Sequence, residues 1–208
     1  SIFKRQPFFH STKICIFPSY HRIYFMFSSP FTSLSKNQEL RLTLALLFVV
    51  MMCTIGLQYL DQFLINDTCT GGIISFELAR DLETAGSYLN SWGEKGKIVV
   101  SLGLGIDFLF PIAYATFLSI LIHKLNFALW FKKCFFKVGN LLIWCLFLAA
   151  VFDYVENIAL INLVLGDMKQ FWVSISYYFA LSKFCIIFAS FVYIFINFCL
   201  FLIKKQLK

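Results

Sequence analysis

The chain has 208 residues, of which 60% are hydrophobic and only 14% are charged, and its formal net charge is +7. A soluble domain averages about half apolar and about a quarter charged residues, so this composition predicts a surface that faces lipid. The basic residues lie at the edges of apolar runs instead of forming a patch of their own. This distribution excludes nucleic acid as a partner.

Residues 1–40 form a basic arm that is rich in Ser and Phe and contains no acidic residue before Glu39. Such a composition is typical of an organelle targeting peptide. The alternatives are a disordered basic arm and sequence that lies upstream of the true start, and we favour these. The arm is therefore predicted to lie outside the folded domain, which covers residues 41–208.

Four long apolar runs follow the arm, and each is long enough for a helix of about 20 residues to cross the hydrocarbon core of a membrane. In lipid every backbone amide must be hydrogen-bonded within its own segment, so these runs are predicted to be helices. The predicted fold class is all-α, a polytopic membrane protein. Its four transmembrane helices are expected at residues 42–62, 98–122, 138–166 and 174–203.

The distribution of lysine and arginine predicts the orientation of these spans. Thirteen of these residues lie in the N-terminal arm, the loop between the second and third spans and the C-terminal tail, whereas four lie on the other side. Both termini are therefore expected on the cytoplasmic side of a bacterial inner membrane. The matrix side of the mitochondrial inner membrane is the alternative.

The loop between the first and second spans is predicted to carry an amphipathic helix over residues 75–92. Ser75 is a candidate N-cap, Gly93 is a candidate end, and apolar residues recur between them at spacings of three and four. Two interpretations remain open. The helix either lies in the membrane interface as an anchor, which is the commoner case, or covers the bundle as a lid that uses Glu77 and Trp92.

Polar residues inside the spans are predicted to lie in the outer third of the membrane. Asp107 and Asp153 each lie 15 residues from the inner end of their span, which is about 22 Å at the helical rise, so they are expected at one level. Asp153, Glu156 and Asn157 follow one another at spacings of i, i+3 and i+4 and share a helix face. Asp107 and Tyr114 share a face of the preceding span.

These faces are predicted to line a cup that opens to the outer side, because charged groups that face lipid are costly. Gln58 lies at a similar level, and Lys183 is expected near the rim, where snorkelling to the headgroups is its alternative role. The inner two thirds of the bundle is expected to be nearly pure hydrocarbon. Three carboxylates against one lysine cannot all stay ionised at low dielectric, so a proton or cation is expected to bind. The alternative is that the carboxyl groups join the helices by hydrogen bonds.

Three stretches, "FELARDLETAGSYLNSWGEKGK", "DFLFPIAYATFLS" and "DYVENIALINLV", occur in this order within residues 73–166. Together they resemble a family of small, uncharacterised four-helix bacterial integral membrane proteins. The residues that carry the resemblance are Phe76-Glu77-Leu78-Ala79, Trp92, Asp107-Phe108, Tyr114, Asp153 and Glu156-Asn157. The resemblance implies four helices and no known activity, so it implies no catalytic role. The arm before residue 40 departs from the family.

The leading functional hypothesis is an integral membrane protein whose carboxylate cup binds a cation, a proton or a lipid headgroup. The expected partners are the lipid bilayer and either other membrane proteins or further copies of the chain. No cofactor is identified, although carboxylate oxygens would suit Mg²⁺ or Ca²⁺. We expect no enzymatic activity, and two alternatives stay open. One is a structural or accessory subunit of a larger membrane complex, and the other is a lipid-modifying enzyme that uses the paired carboxylates.

Overall fold

The computed structural model describes residues 28–131, 133 and 135–206. Within these ranges the chain forms six helices and no strand, which confirms the all-α prediction. The helices are α1 (Lys36–Asp61), α2 (Gly72–Glu77), α3 (Leu82–Asp107), α4 (Phe110–Trp130), α5 (Phe136–Val164) and α6 (Gln170–Gln206). Four of them, α1, α4, α5 and α6, are long and apolar enough to cross a membrane. This count agrees with the four predicted spans and is compatible with an integral membrane protein.

The folded domain begins earlier than the sequence predicts. The predicted arm lies outside the described residues as far as residue 27, but α1 already starts at Lys36. Ser35 caps this helix in a capping box, in which its backbone N–H donates to Gln38 Oε1 at 3.0 Å. Phe31 is buried, and its ring meets the ring of His123 at a centroid distance of 5.9 Å. Residues from Phe31 onward therefore belong to the domain.

The segment predicted as one amphipathic helix over residues 75–92 is divided between two helices. α2 ends at Glu77, and α3 starts at Leu82. Between them Asp81 adopts an extended backbone conformation, and its carboxylate accepts the Thr84 N–H at 2.7 Å. An N-cap of this kind starts a new helix and cannot continue an old one. The expected break at Gly93 is present, because its φ of 59° interrupts the helical path within α3.

The predicted second span over residues 98–122 is also interrupted, because α3 ends at Asp107 and α4 starts at Phe110. Pro111 lies in the first turn of α4. Proline has no N–H to donate to the carbonyl four residues before it, and its ring clashes with that carbonyl, so the preceding helix ends there. α4 then continues to Trp130 and α5 starts at Phe136, so both helices extend into the predicted inner loop.

Helix α5 is central to the bundle, with α4 and α6 packed along it, while α1 packs mainly against α3 and α4. One apolar core gathers around Phe76, Trp92 and Leu160, and a second gathers around Ile120 and Ile143. We call the end of the bundle that carries the first core the α2 end. Most of the surface of α1 is exposed, as expected for a helix that faces lipid.

Replacing Asp81 with alanine is expected to loosen the start of α3, because the variant loses the group that accepts the Thr84 N–H. The hydrogen bonds from Thr84 also lower the pKa of Asp81. Their contribution is therefore present at neutral pH and disappears as the pH falls through the lowered pKa. Hydrogen exchange in the first turn of α3 should be faster than in the wild type at neutral pH, and the difference should narrow in acid, where the protonated carboxyl group is a weaker acceptor. Asp81→Asn keeps a capping oxygen and is the control, and unchanged exchange in Asp81→Ala would contradict the prediction.

Candidate ligand-binding site

Lys183 of α6 is at the centre of a buried group of charges. The residue is only 5% exposed. The ammonium nitrogen lies 2.8 Å from Glu156 Oε2, 2.9 Å from Asp153 Oδ1 and 3.6 Å from Glu77 Oε2. The predicted position at the rim, with snorkelling as its alternative, is therefore wrong. Three carboxylates attract the ammonium inward more strongly than distant headgroups can.

The three acids lie on two helices, α2 and α5, and meet Lys183 of a third helix, α6. Asp153 and Glu156 share a face of α5 because they are three residues apart, as the sequence predicts. Glu77 comes from the end of α2, where the Ser176 hydroxyl of α6 donates to the Glu77 carbonyl oxygen at 3.1 Å. Gln170 at the start of α6 also joins the turn after α2 to α6, because its amide donates to the Arg80 carbonyl oxygen at 2.8 Å.

Asp107, Tyr114 and Asn157 extend the polar group along the interface of α3, α4 and α5. Asn157 Nδ2 donates to Asp107 Oδ2 at 2.9 Å, and the Tyr114 hydroxyl donates to Asp153 Oδ2 at 3.0 Å. Asp107 thus pairs with Asn157, and Asp153 pairs with Tyr114. The two carboxyl groups predicted at one level therefore have different hydrogen-bond partners.

The helix break itself supplies polar groups beside the cluster. The end of α3 leaves the carbonyl groups of Asp107 and Phe108 without helical partners. Asn157 Nδ2 approaches the Asp107 carbonyl oxygen at 3.4 Å, and the Tyr154 hydroxyl donates to the Phe108 carbonyl oxygen at 3.1 Å. Irregular backbone at membrane depth is tolerated where protein groups satisfy it or where it lines a cavity. Both conditions hold at this break.

We call Glu77, Asp107, Asp153, Glu156 and Lys183 the charged cluster. It contains four carboxyl groups and one ammonium group, so negative charge exceeds positive charge when all are ionised. Among the described groups, the buried atoms Glu156 Oε1 and Asn157 Oδ1 have no hydrogen-bond partner. Burial raises the pKa of Glu77, and the Lys183 ammonium opposes this rise. A proton or another positive charge would relieve the imbalance.

A cavity of about 420 Å³ adjoins the charged cluster. Its charged lining residues lie toward the α2 end, among apolar side chains that include Ile73 and Val100, and its other end is formed by apolar side chains of α1, α4 and α6. The polar lining residues are Thr54, Asp61, Glu77, Asp107, Tyr114, Asp153 and Lys183. The cavity is therefore mostly apolar and carries its charged groups toward the α2 end.

Two of the predicted site residues do not join the charged cluster. Gln58 is exposed on α1, whereas its neighbour Leu57 lines the cavity. Trp92 is buried in the apolar core, and its indole N–H donates to the Leu64 carbonyl oxygen at 2.7 Å, so its role in a lid stays a prediction. Glu77, predicted as part of the lid, belongs to the cluster.

Sequence reasoning missed Asp61 and a second polar cluster. Asp61 lines the cavity, and its Oδ1 accepts the Ile73 N–H at 2.7 Å. At the end of the bundle away from α2, Asn126 Nδ2 donates to Asn140 Oδ1, and the Tyr193 hydroxyl donates to Asn126 Oδ1, both at 3.2 Å. The prediction of a nearly pure hydrocarbon interior there is wrong. Asn126 was expected in the inner loop, and Asn140 lies near the start of the third predicted span, so neither was placed in the interior of the bundle.

The arrangement of carboxylates does not form a compact metal site. Within residues 28–131, 133 and 135–206, no group of three or more His, Cys, Asp or Glu side chains is placed to hold a metal ion. The Lys183 ammonium occupies the point on which Glu77, Asp153 and Glu156 converge. The possibility of Mg²⁺ or Ca²⁺ stays a prediction.

Comparison with known proteins gives no independent support for a function. No protein-family model matches the chain, and searches of curated proteins and of solved structures find no match. The resemblance to small four-helix bacterial membrane proteins therefore stays a prediction, and the geometry of the charged cluster and the cavity is the remaining basis for inferring a function.

Proposed function

We propose that this chain is an integral membrane protein that binds a positively charged group at the charged end of its cavity. The observation that carries the proposal is the excess of buried carboxyl groups over the single ammonium of Lys183. A low-dielectric site with this imbalance favours the arrival of positive charge. Asp107 and Asp61, on the cavity wall, are the carboxyl groups best placed to meet it.

The pairing of the acids supports this assignment. Glu77, Asp153 and Glu156 already share Lys183. By contrast, no lysine, arginine or histidine among the described residues lies within ion-pair distance of Asp107 or Asp61. An incoming cation would therefore supply the missing counter-charge for these two carboxyl groups, and Lys183 would keep its own ion pairs. An organic ammonium fits the cavity better than a small metal ion, because it needs no compact set of oxygen ligands.

Thermal unfolding in the presence of cations tests the proposal. The protein is placed in nanodiscs of a neutral galactolipid, which carries no ammonium of its own, and is titrated with tetramethylammonium, Na⁺, Mg²⁺ or Ca²⁺ at constant ionic strength. Tetramethylammonium is expected to raise the midpoint of unfolding saturably, because a ligand that binds only the folded state stabilises it. The rise should be reduced in Asp107→Asn, which keeps an oxygen that can accept the Asn157 amide but loses the charge.

Asp167→Asn is the matched control, because it makes the same substitution on a carboxylate that pairs with Lys169 outside the cavity. This variant should respond to tetramethylammonium as the wild type does. A flat response to all four cations in the wild type, or an equal response in Asp107→Asn, would refute the proposed cation site. A response to Mg²⁺ or Ca²⁺ alone would replace the organic cation with a metal.

The distribution of lysine and arginine supports a location and an orientation for the protein. The protein is expected in a bacterial inner membrane with both termini in the cytoplasm, or in the mitochondrial inner membrane with both termini on the matrix side. The charged cluster would then face the opposite side. The accessory-subunit and lipid-modifying alternatives stay predictions. Stable co-purification of another membrane protein would favour the first alternative, and turnover of a lipid that depends on Asp153 would favour the second.

A further inference from the structure

We propose that the ligand of this cavity is a membrane amphiphile with an ammonium head group, and that it enters sideways from the bilayer between α1 and α6. The inference rests on the proposed cation site and names the class of molecule that the site would take. Three features of the cavity support it: the direction in which its polarity changes, its position between two helices that make little contact with each other, and its size.

Polarity falls along the cavity in the same direction on two of its walls. On α1 the lining runs from Asp61 to Val50, a rise of about 16 Å along the helix. On α6 it runs from Lys183 to Phe191, a rise of about 12 Å. In both cases a carboxylate or ammonium lies at the α2 end and only apolar or weakly polar side chains follow. A lipid presents the same order, with a polar head at the membrane surface and a chain toward its centre.

The cavity lies between helices that leave a gap. Both α1 and α6 are described over their full length, and they make at most marginal contact with each other, although each packs against α4. Thr54 and Leu57 of α1 line one side of the gap, and Phe184 and Ile187 of α6 line the other. Since these two helices have largely exposed apolar surfaces, the gap faces the hydrocarbon of the bilayer. A chain-bearing molecule can therefore reach the cavity without leaving the membrane.

The size and charge of the cavity select the head group and the chain. The volume of about 420 Å³ lies within the range of about 300–1,000 Å³ that is typical of small-molecule sites. An inorganic cation would use only the charged end and would leave the apolar length empty. An anionic head group would meet Asp61 and Asp107, and the one nearby ammonium, Lys183, is already shared by three carboxylates. A single-chain ammonium amphiphile uses both ends.

Photo-labelling of the full chain in galactolipid nanodiscs tests this inference. The probe is dodecyltrimethylammonium with a diazirine in its chain, and its comparators are the dodecyl alcohol and dodecyl sulfate with the same diazirine. The ammonium probe is expected to label α1 between residues 50 and 61 and α6 between residues 183 and 191, and the comparators are not. Ile187→Trp fills the apolar part of the cavity. It should weaken binding of the probe about tenfold, the effect of displacing roughly two methylene groups from apolar contact.

The controls separate failure of this inference from failure of the proposed function. Ile196→Trp makes the same substitution on the exposed side of α6 and should leave labelling unchanged. Thr54→Phe fills the cavity from α1, so that misfolding of one variant does not decide the outcome. If tetramethylammonium stabilises the protein but labelling is the same in the wild type, Ile187→Trp and Thr54→Phe, the amphiphile proposal is refuted. The cation site would still stand. Absence of any response to the amphiphile and to tetramethylammonium would overturn both.

Discussion

Replacing Lys183 with methionine is expected to destabilise the bundle by about 3–5 kcal/mol at neutral pH. Methionine keeps an unbranched apolar stem but removes the ammonium that contacts Glu77, Asp153 and Glu156. These buried carboxyl groups then have no counter-charge, and each one that stays ionised costs free energy at low dielectric. The measurement is the free energy of unfolding in lipid nanodiscs, followed by thermal or denaturant titration.

Acid should relieve most of this defect. A proton on each carboxyl group removes the charge that Lys183 would have neutralised, so the difference in stability from the wild type should shrink as the pH falls. Lys169→Met is the matched control, because Lys169 makes an exposed ion pair with Asp167 at 2.9 Å, and exposed pairs contribute little. If Lys183→Met costs no more than Lys169→Met, or if its cost does not change with pH, Lys183 does not neutralise the cluster.

The sequence predicted the long helices well because their signal is the length of an apolar run. α1, α5 and α6 cover the first, third and fourth predicted spans, with ends that differ by several residues. The predicted helix boundaries were wrong where a single residue interrupts a helix although the average hydropathy of its neighbours favours one. Asp81 starts a new helix inside an amphipathic pattern, and Pro111 ends one inside an apolar run. Both signals are local, and an averaged hydropathy does not register them.

The site was predictable where it depends on spacing within one helix. Asp153, Glu156 and Asn157 share a face of α5, as three- and four-residue spacing requires. Contacts between helices depend on rotation and register, which apolar runs do not determine. For this reason the meeting of Lys183 with Glu77 could not be foreseen, since these residues lie on α6 and on the short helix α2. The same limit explains why the hydrogen-bond partners of Asp107 and Asp153 could not be foreseen.

The second polar cluster joins α4, α5 and α6 at the end of the bundle away from α2. Asn126 is its central residue, because its amide donates to the Phe136 carbonyl oxygen at 2.9 Å and to Asn140 Oδ1, and its oxygen accepts the Tyr193 hydroxyl. Gly139 of α5 permits this arrangement. A β-carbon at Gly139 would lie 2.5 Å from both Cγ and Nδ2 of Asn126, which is far inside van der Waals contact. The glycine is therefore required by the position of the asparagine.

Gly139→Ala is accordingly expected to destabilise the protein by about 1–3 kcal/mol, the usual cost of overpacking, even though alanine favours a helix over glycine. The added methyl group must displace Asn126 and with it the hydrogen bonds that join the three helices. Gly105→Ala on α3 is the matched control, because a β-carbon there meets nothing within 4 Å, and helix propensity alone should leave it neutral or slightly more stable. Unfolding of both variants in nanodiscs measures the difference.

If Gly139→Ala gains stability as Gly105→Ala does, Asn126 can move without loss and its cluster does not hold α4 against α5. A loss confined to Gly139→Ala, and absent when Asn126 is also replaced by alanine, would assign the whole cost to this contact.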